Sequence, residues 1–400
     1  MNVEATPFRW PGSWTDPGSV DLLKDTAVNL ILVAADAAFD RVRARARDLG
    51  IATAAEPPTG VVVATGAWPG VKASRGGGNA TEAGPTGVPW VDSNGWLVRL
   101  TQAQHPGAAI WVDAPPKDRR FFTPASYELA VADAAAHGGR WILTLDPTLA
   151  GQVKPDHPAW KRMLAAARYF ADRPGLARYI PAAVVGIVSD FAGPNEFMGQ
   201  ELLNLLARAG QHYRIIPKSK PDFDGLRALI YADHEAPSPA LRKQVMAFVE
   251  AGGLLIAAPV WGQTPGRAEP PEHPRFSIRT SGKGRVALAT SEPDDPWLLA
   301  NDSVVLVSHR YDLVRCFNGG SFAAYYAHSP DRRQSLVHLF YYADRGPSEG
   351  SVRIAGKYRA ASISTVDQPD PKPVPAEFGK DWVEVHLPPV PPYLSLVLTV

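Results

Sequence analysis

Between Ala183 and Gln263 apolar and polar positions alternate between two periods, and this is where the chain is easiest to read. The unbroken apolar run AVVGIVSDF, from Ala183 to Phe191, has the length and β-branched content of a buried strand. Met198, Leu202, Leu205, Leu206 and Ala209 then recur on one face of a helix, which Gly210 stops. A second strand follows in HYRIIP, and a third in LRALIYAD, Leu226–Asp233. Pro237 and Ser238 lead into a helix whose Leu241, Val245, Phe248 and Val249 share a face, and Gly252-Gly253 opens the strand LLIAAPVWG. Strand and helix alternating at this spacing predict a parallel, doubly wound α/β sheet.

The same alternation, less regular, occupies the N-terminal part. AVNLILVAA predicts a strand, Phe39, Val42, Ala46 and Leu49 a helix face, and IATAAE, VVVATG, AAIWVDAPP and RWILTLD further strands. Helices are predicted over Tyr127–His137 and His157–Asp172, and the stretch SRGGGNATEAGPTG reads as a rim loop. Roughly five β/α units are too few for an eight-unit barrel. Residues 1–175 therefore read as a shortened or degenerate (β/α) barrel, with an open Rossmann-like sheet as the alternative. The α/β unit takes residues 176–316, its end marked by the ribbon RFSIRTSGKGRVALAT and a helix within DPWLLANDSVVLVSHRYDLVRCFN. Beyond it the period becomes two, in FAAYYAHS, SLVHLFYYA, SVRIAGKYRAASIST, WVEVHLP and YLSLVLTV, which predicts a β-sandwich over 317–400.

Charge adds little to this picture. Lys and Arg number 41 against 40 Asp and Glu, so bulk electrostatics favour neither nucleic acid nor an anionic membrane as partner. The single cysteine, Cys316, excludes an internal disulfide framework, and no apolar run approaches a membrane span. MNVEATPFRW carries no signal-peptide pattern, so a cytoplasmic location is the default expectation. The ten histidines show no metal-ligand spacing, and neither metal nor cofactor is expected.

Candidate chemistry concentrates at strand ends. Glu56, Asp113 and Asp146 each close a predicted N-terminal strand, and in a β/α barrel such ends converge on one rim. Two carboxyls there, one protonated and one ionised, are what glycosidic hydrolysis requires. The competing reading makes each acid a helix cap or a partner of loop amides. Asp92, Asn94 and Trp96, with Trp90, Trp111 and Trp10, supply the hydrogen-bonding groups and flat apolar faces that a sugar takes, or else an Asx-turn and core tryptophans. In the α/β unit, Asp190, Asn195, Glu196 and His234 follow strands and fall where a doubly wound sheet opens its crevice.

Several of these words resemble known families. The strand ending in Asp190, YADHE, and VMAFVEAGGLLIAAPVWG are similar to the class I glutamine amidotransferase-like domain found in the middle of certain β-galactosidases, in which a GKGRV segment also closes the domain. The resemblance implies a flavodoxin-like fold, and subunit contacts that would make a homo-oligomer, a dimer or trimer. Where an amidotransferase carries its cysteine nucleophile this chain has Ala258-Pro259-Val260-Trp261, so glutaminase chemistry is not expected. Trp261 is expected either in a subunit interface or buried under the barrel. GPTGVPWVDSNGWLVRL and GGRWILTLD resemble bacterial proteins grouped with glycoside hydrolases, which implies a carbohydrate ligand. Two functions follow as expectations: a glycoside hydrolase with paired carboxylates, or a non-catalytic carbohydrate-binding or scaffold protein derived from one.

Overall fold

The computed structural model describes residues 5–70, 72–75, 81–84, 91–116, 122–270, 273–317, 321–343 and 349–400. Trp90 and much of the glycine-rich stretch lie outside the described residues; within that stretch Thr81–Gly84 pairs antiparallel with Lys72–Arg75, a two-stranded ribbon where a rim loop was expected.

The N-terminal strands form two parallel triplets. β1 (Pro7–Arg9), β2 (Leu30–Leu32) and β3 (Ala52–Ala54) make one, and β4 (Val61–Thr65), β5 (Ala109–Asp113) and β6 (Arg140–Trp141) the other. A parallel bridge between Phe8 and Leu143 joins them, with the Arg9 N–H on the Leu143 carbonyl at 2.8 Å and the Leu143 N–H on the Pro7 carbonyl at 2.9 Å. The order is then β3-β2-β1-β6-β5-β4. Residue parity assigns the faces. Leu30, Leu32, Trp111 and Ile142 gather on one side, while Phe8, Ile31, Ile110, Val112 and Leu143 face a larger outer cluster that draws on α1 (Asp40–Asp48), α2 (Gly95–Gln104), α3 (Pro124–Ala136), α4 (Pro147–Gln152) and α5 (Pro158–Ala171). Ala54 and Val61, from the two outermost strands, both pack against the inner cluster, so the sheet curls around it. Among the described residues no ladder joins β3 to β4.

In the central sheet, β7 (Val185–Ser189), β8 (Tyr213–Pro217), β9 (Ala228–Tyr231), β10 (Leu254–Ala257) and β12 (Gly284–Ala289) run parallel in the order β8-β7-β9-β10-β12. β11 (Phe276–Ser281) adds an antiparallel strand. Ile187, Ile230 and Ile256 face α6 (Glu196–Arg208) and α8 (Pro296–Val307), whereas Val188, Leu229 and Leu255 face α7 (Pro239–Glu250). Both faces are covered, which is why these strands read as continuous apolar runs. Full burial of Leu202, Leu206 and Val249 against this sheet stabilises by about 1.5–3 kcal/mol each.

The C-terminal strands form two antiparallel sheets. Val314–Phe317, Gly350–Ala355, Trp382–Leu387 and Ala376–Phe378 make one. Phe322–His328, Gln334–Tyr341, Ala360–Thr365 and Tyr393–Thr399 form the body of the other. They share a core in which Val337, Leu339, Leu394 and Leu396 meet Val352, Ile354, Val383 and Val385. Ile180–Pro181 joins the second sheet as an edge strand, so the chain visits this sheet before entering the central one. The opposite face of that sheet receives the N-terminal helices, for Phe340 and Tyr393 belong to the outer cluster around α3 and α5. Tyr169 on α5 places its hydroxyl 2.8 Å from that of Ser364 and 2.9 Å from that of Ser395.

Candidate functional site

Parity also places Arg9 and Asp113. Each is the last residue of its strand, on the same face as Trp111, so they cap the curled interior at its carboxyl end. Arg9 Nη2 donates to Asp113 Oδ2 at 2.6 Å, while Asp113 Oδ1 and Arg9 Nε are buried without a hydrogen-bond partner. Buried polar atoms left unpartnered are costly and draw polar groups to themselves. Asp146 lies differently. It is the N-cap of α4 (Pro147–Gln152), its Oδ1 accepting from the amides of Thr148 and Leu149 at 2.9 and 3.0 Å, and its Oδ2 accepting from the Tyr127 hydroxyl at 2.7 Å. Both oxygens are thereby committed. Glu56 stands exposed beyond β3.

The sugar-contacting set is dispersed. Trp111 is fully buried in the interior cluster, and Trp10, 5% exposed, donates its indole N–H to the Trp14 carbonyl within an aromatic group with Phe8 and Trp14. Neither presents a face to solvent, which corrects the reading of both as sugar platforms. Asn94 is not in an Asx-turn but at the start of α2 (Gly95–Gln104), buried. Its side chain exchanges two hydrogen bonds with Ala67 at 2.9 and 2.8 Å, and its backbone N–H donates to the Asp133 carboxylate. Asp92 pairs its backbone with Gly70, and half-buried Trp96 packs on the central cluster near α6. Of this set, Asn94 and Trp96 are neighbours at the start of α2; the Asn94 side chain is committed to Ala67, and Trp96 also lines a cavity with Arg99 and His137.

At the carboxyl end of the central sheet three of the four expected residues, Asp190, Asn195 and His234, come together. The strand order reverses at β7, the switch point where open α/β sheets form their crevice. Asp190 follows β7, its Oδ1 accepting from Asn195 Nδ2 at 3.0 Å, and Asn195 Oδ1 accepts the His234 N–H at 2.8 Å. His234 Nδ1 lies 3.2 Å from Glu292. Glu196 is separate, exposed on α6 beside Gln200. Three members escaped the sequence reading: Ser189, Lys218 and Asp233. The Ser189 hydroxyl donates to Asp233 at 2.5 Å, and Lys218 Nζ lies 2.5 Å from Asp233 and 3.0 Å from Asp190. Burial opposes charge on both Lys218 and Asp233; for Lys218 the two carboxylates prevail and raise it, while for Asp233 burial prevails and raises it too. PKSK, which holds Lys218, has no period that marks a site.

A further polar group sits where the N-terminal helices, α6 and the C-terminal sheet meet. Asp133, wholly buried on α3, receives the Asn94 N–H and the Tyr342 hydroxyl at 3.1 Å, and burial raises it to about 6. His137 and His212 line a cavity there with Arg99 and Tyr325, and burial lowers them to about 3 and about 4. Trp261 is buried against Tyr231 beneath Arg242, not at a free surface. Cys316 lies on a strand of the C-terminal four-stranded sheet, where burial pushes its thiol up to about 12. Among the described residues no group of three His, Cys, Asp or Glu is placed to hold a metal ion, and no helix is long and apolar enough to cross a membrane.

No family model matches the chain, and no curated protein matches it. Solved structures do. α-L-Fucosidase isoenzyme 2 from Paenibacillus thiaminolyticus aligns with a TM-score of 0.54 at 12% identity, over 76% of this chain and 62% of that one. A catalytic mutant of a GH42 β-galactosidase from G. stearothermophilus gives 0.52 at 11%, over 76% and 56%. A rhamnosidase from Novosphingobium sp. PP1Y gives 0.50 at 11%, over 90% and 38%. The chain thus spans between 38% and 62% of the length of these proteins. At such identities the likeness is one of fold, and the fold of this chain is glycoside-hydrolase-like.

Proposed function

We propose that this protein binds carbohydrate on a glycoside-hydrolase-like fold whose strand-end acids serve structure instead of hydrolysis. One observation carries the reading: Asp146 spends both oxygens on two amides and a phenol, and Asp113 is ion-paired to Arg9, so neither stands as a free acid or nucleophile. A hydrolytic pair needs both carboxyls directed at one bond, about 5–5.5 Å or 6.5–9.5 Å apart. Binding of a fucoside, galactoside or rhamnoside is the first specificity to examine, since those names belong to the matching structures. An aryl-glycoside and oligosaccharide screen, paired with calorimetric binding, tests the proposal. Sugar binding without turnover is expected, and release of aglycone above the uncatalysed rate would overturn it.

A second reading keeps catalysis, and the unpartnered Asp113 Oδ1 at the rim favours it. Asp113 would then act with Glu56, with Arg9 orienting the first carboxylate through their 2.6 Å contact. Turnover by the wild type that Asp113→Asn abolishes would establish this reading.

The proposal extends to organisation. Residues 1–175 would be the remnant of a (β/α) barrel, 176–316 an amidotransferase-like unit without its cysteine, and 317–400 a β-sandwich. Central units of this kind would pair or trimerise the chain; light scattering giving 43.1 kDa across micromolar concentrations would refute that assembly. Ammonia release from glutamine would refute the lost nucleophile.

A further inference from the structure

At the end of the central sheet opposite the switch point lies a cavity of about 210 Å3. Its wall is formed where β9, β10 and β12 begin: Arg227 precedes β9, Gly252-Gly253 precede β10, and Lys283 occupies the turn before β12. Arg285 on β12, and Arg310 and Tyr311 just beyond α8, complete it. Four cationic side chains thus line one concavity, with no Asp or Glu among its lining residues. Arg285 is occupied, bonded to Glu269 at 2.7 Å. The other three are not: among the described residues no carboxylate lies within ion-pair distance of Arg227, Lys283 or Arg310.

Two of these cations are held together. The guanidinium of Arg227 lies 5.4 Å from the centre of the Tyr311 ring, and that of Arg310 4.6 Å from the same centre. The Tyr311 ring attracts each cation only weakly at an exposed site. Mutual repulsion of like charges opposes this. An alternative is that the cations serve the carbonyl end of α8, whose Leu306 and Val307 border the cavity. Among the described residues none of the three side chains donates a hydrogen bond to those carbonyls, and a helix terminus carries only about half a charge against three whole ones.

We propose that this cavity binds a phosphate-class oxyanion, free or as the monoester of a small molecule. Arg presents paired N–H donors that match two oxygens of such a group, and Lys283 adds a mobile point charge. The room exceeds many times the roughly 10–15 Å3 that one water needs, so the anion enters with part of its hydration or with an attached organic moiety. Binding here is independent of whether the rim acids hydrolyse a sugar.

The test is calorimetric titration of the full chain with inorganic phosphate, and separately with a hexose 1-phosphate, ionic strength being held constant with sodium chloride. Saturable binding at one site is expected, weakened at least tenfold in Arg227→Ala/Arg310→Ala and at least threefold in Lys283→Ala. All three side chains are exposed, so the variants should keep the wild-type circular dichroism. Tighter binding of the monoester would identify it as the ligand form, and equal binding would identify the free anion. No saturable heat with either probe, or affinity unchanged in both variants, would overturn the proposal.

Discussion

The N-terminal and central regions use the same β/α unit but complete it differently. In the central sheet, α6 and α8 cover one face and α7 the other, all drawn from the adjoining sequence. The N-terminal sheet hangs together through one bridge between Phe8 and Leu143, and its helices α3 and α5 find their outer partner in strands about two hundred residues later. Self-sufficiency is thus a property of where the second layer comes from, not of the unit. Removing a shared residue should therefore affect the N-terminal helices and spare the central ones.

Phe340→Ala is the strongest such cut, since Phe340 is fully buried against the N-terminal cluster; a loss of about 3–5 kcal/mol is expected. Hydrogen exchange should show α3 and α5 deprotected while α7 stays protected, and uniform deprotection would break the comparison. The converse cut is Gly186→Ala on β7. An added Cβ would lie 2.5 Å from Ile216 Cδ1 and 2.7 Å from Leu226 Cδ1, an overpacking of about 1–3 kcal/mol. Its effect should stay within the central sheet.

Between the two regions sits His212, which burial and then Arg99 hold at about 4 in the folded protein. An exposed imidazole titrates near 6.5, so the stability tied to its neutral form is whole above that pH and is lost as pH falls towards about 4. Denaturant melts of wild type and His212→Gln at pH 7 and pH 5 should differ less at pH 5, by ~2 kcal/mol. A difference that grows on acidification would contradict the assignment. The smallest change is Asp146→Ala, which deletes a helix cap for about 0.5–2 kcal/mol and should leave sugar binding intact. Loss of binding with an unchanged melting temperature would return Asp146 to the site.

How far the sequence could be read follows the same division. Ile187, Ile230 and Ile256 belong to runs buried on both faces, and such runs show as strands without knowledge of their partners. Asp190, Asn195 and His234 were legible as one cluster because strand ends of a doubly wound sheet converge. Lys218 was not, since its role depends on β8 lying beside β7, which no local pattern encodes. Asp113 could be named but not its partner Arg9, because their meeting requires the sheet to bring β1 and β5 to either side of β6. Asn94 and Trp111 were misjudged for a common reason: a tryptophan or asparagine beside a turn looks alike whether solvent or another layer covers it.

The contact of Tyr169 with Ser395 also has a meaning in time. The two residues are 226 positions apart, and at about 5–20 residues per second the second leaves the ribosome some 10–45 seconds after the first. Through that interval the apolar faces of α3 and α5 exist without the strands that cover them. A nascent chain of this protein therefore offers a chaperone a defined hydrophobic surface for tens of seconds, whereas the central sheet is translated together with the helices that cover it.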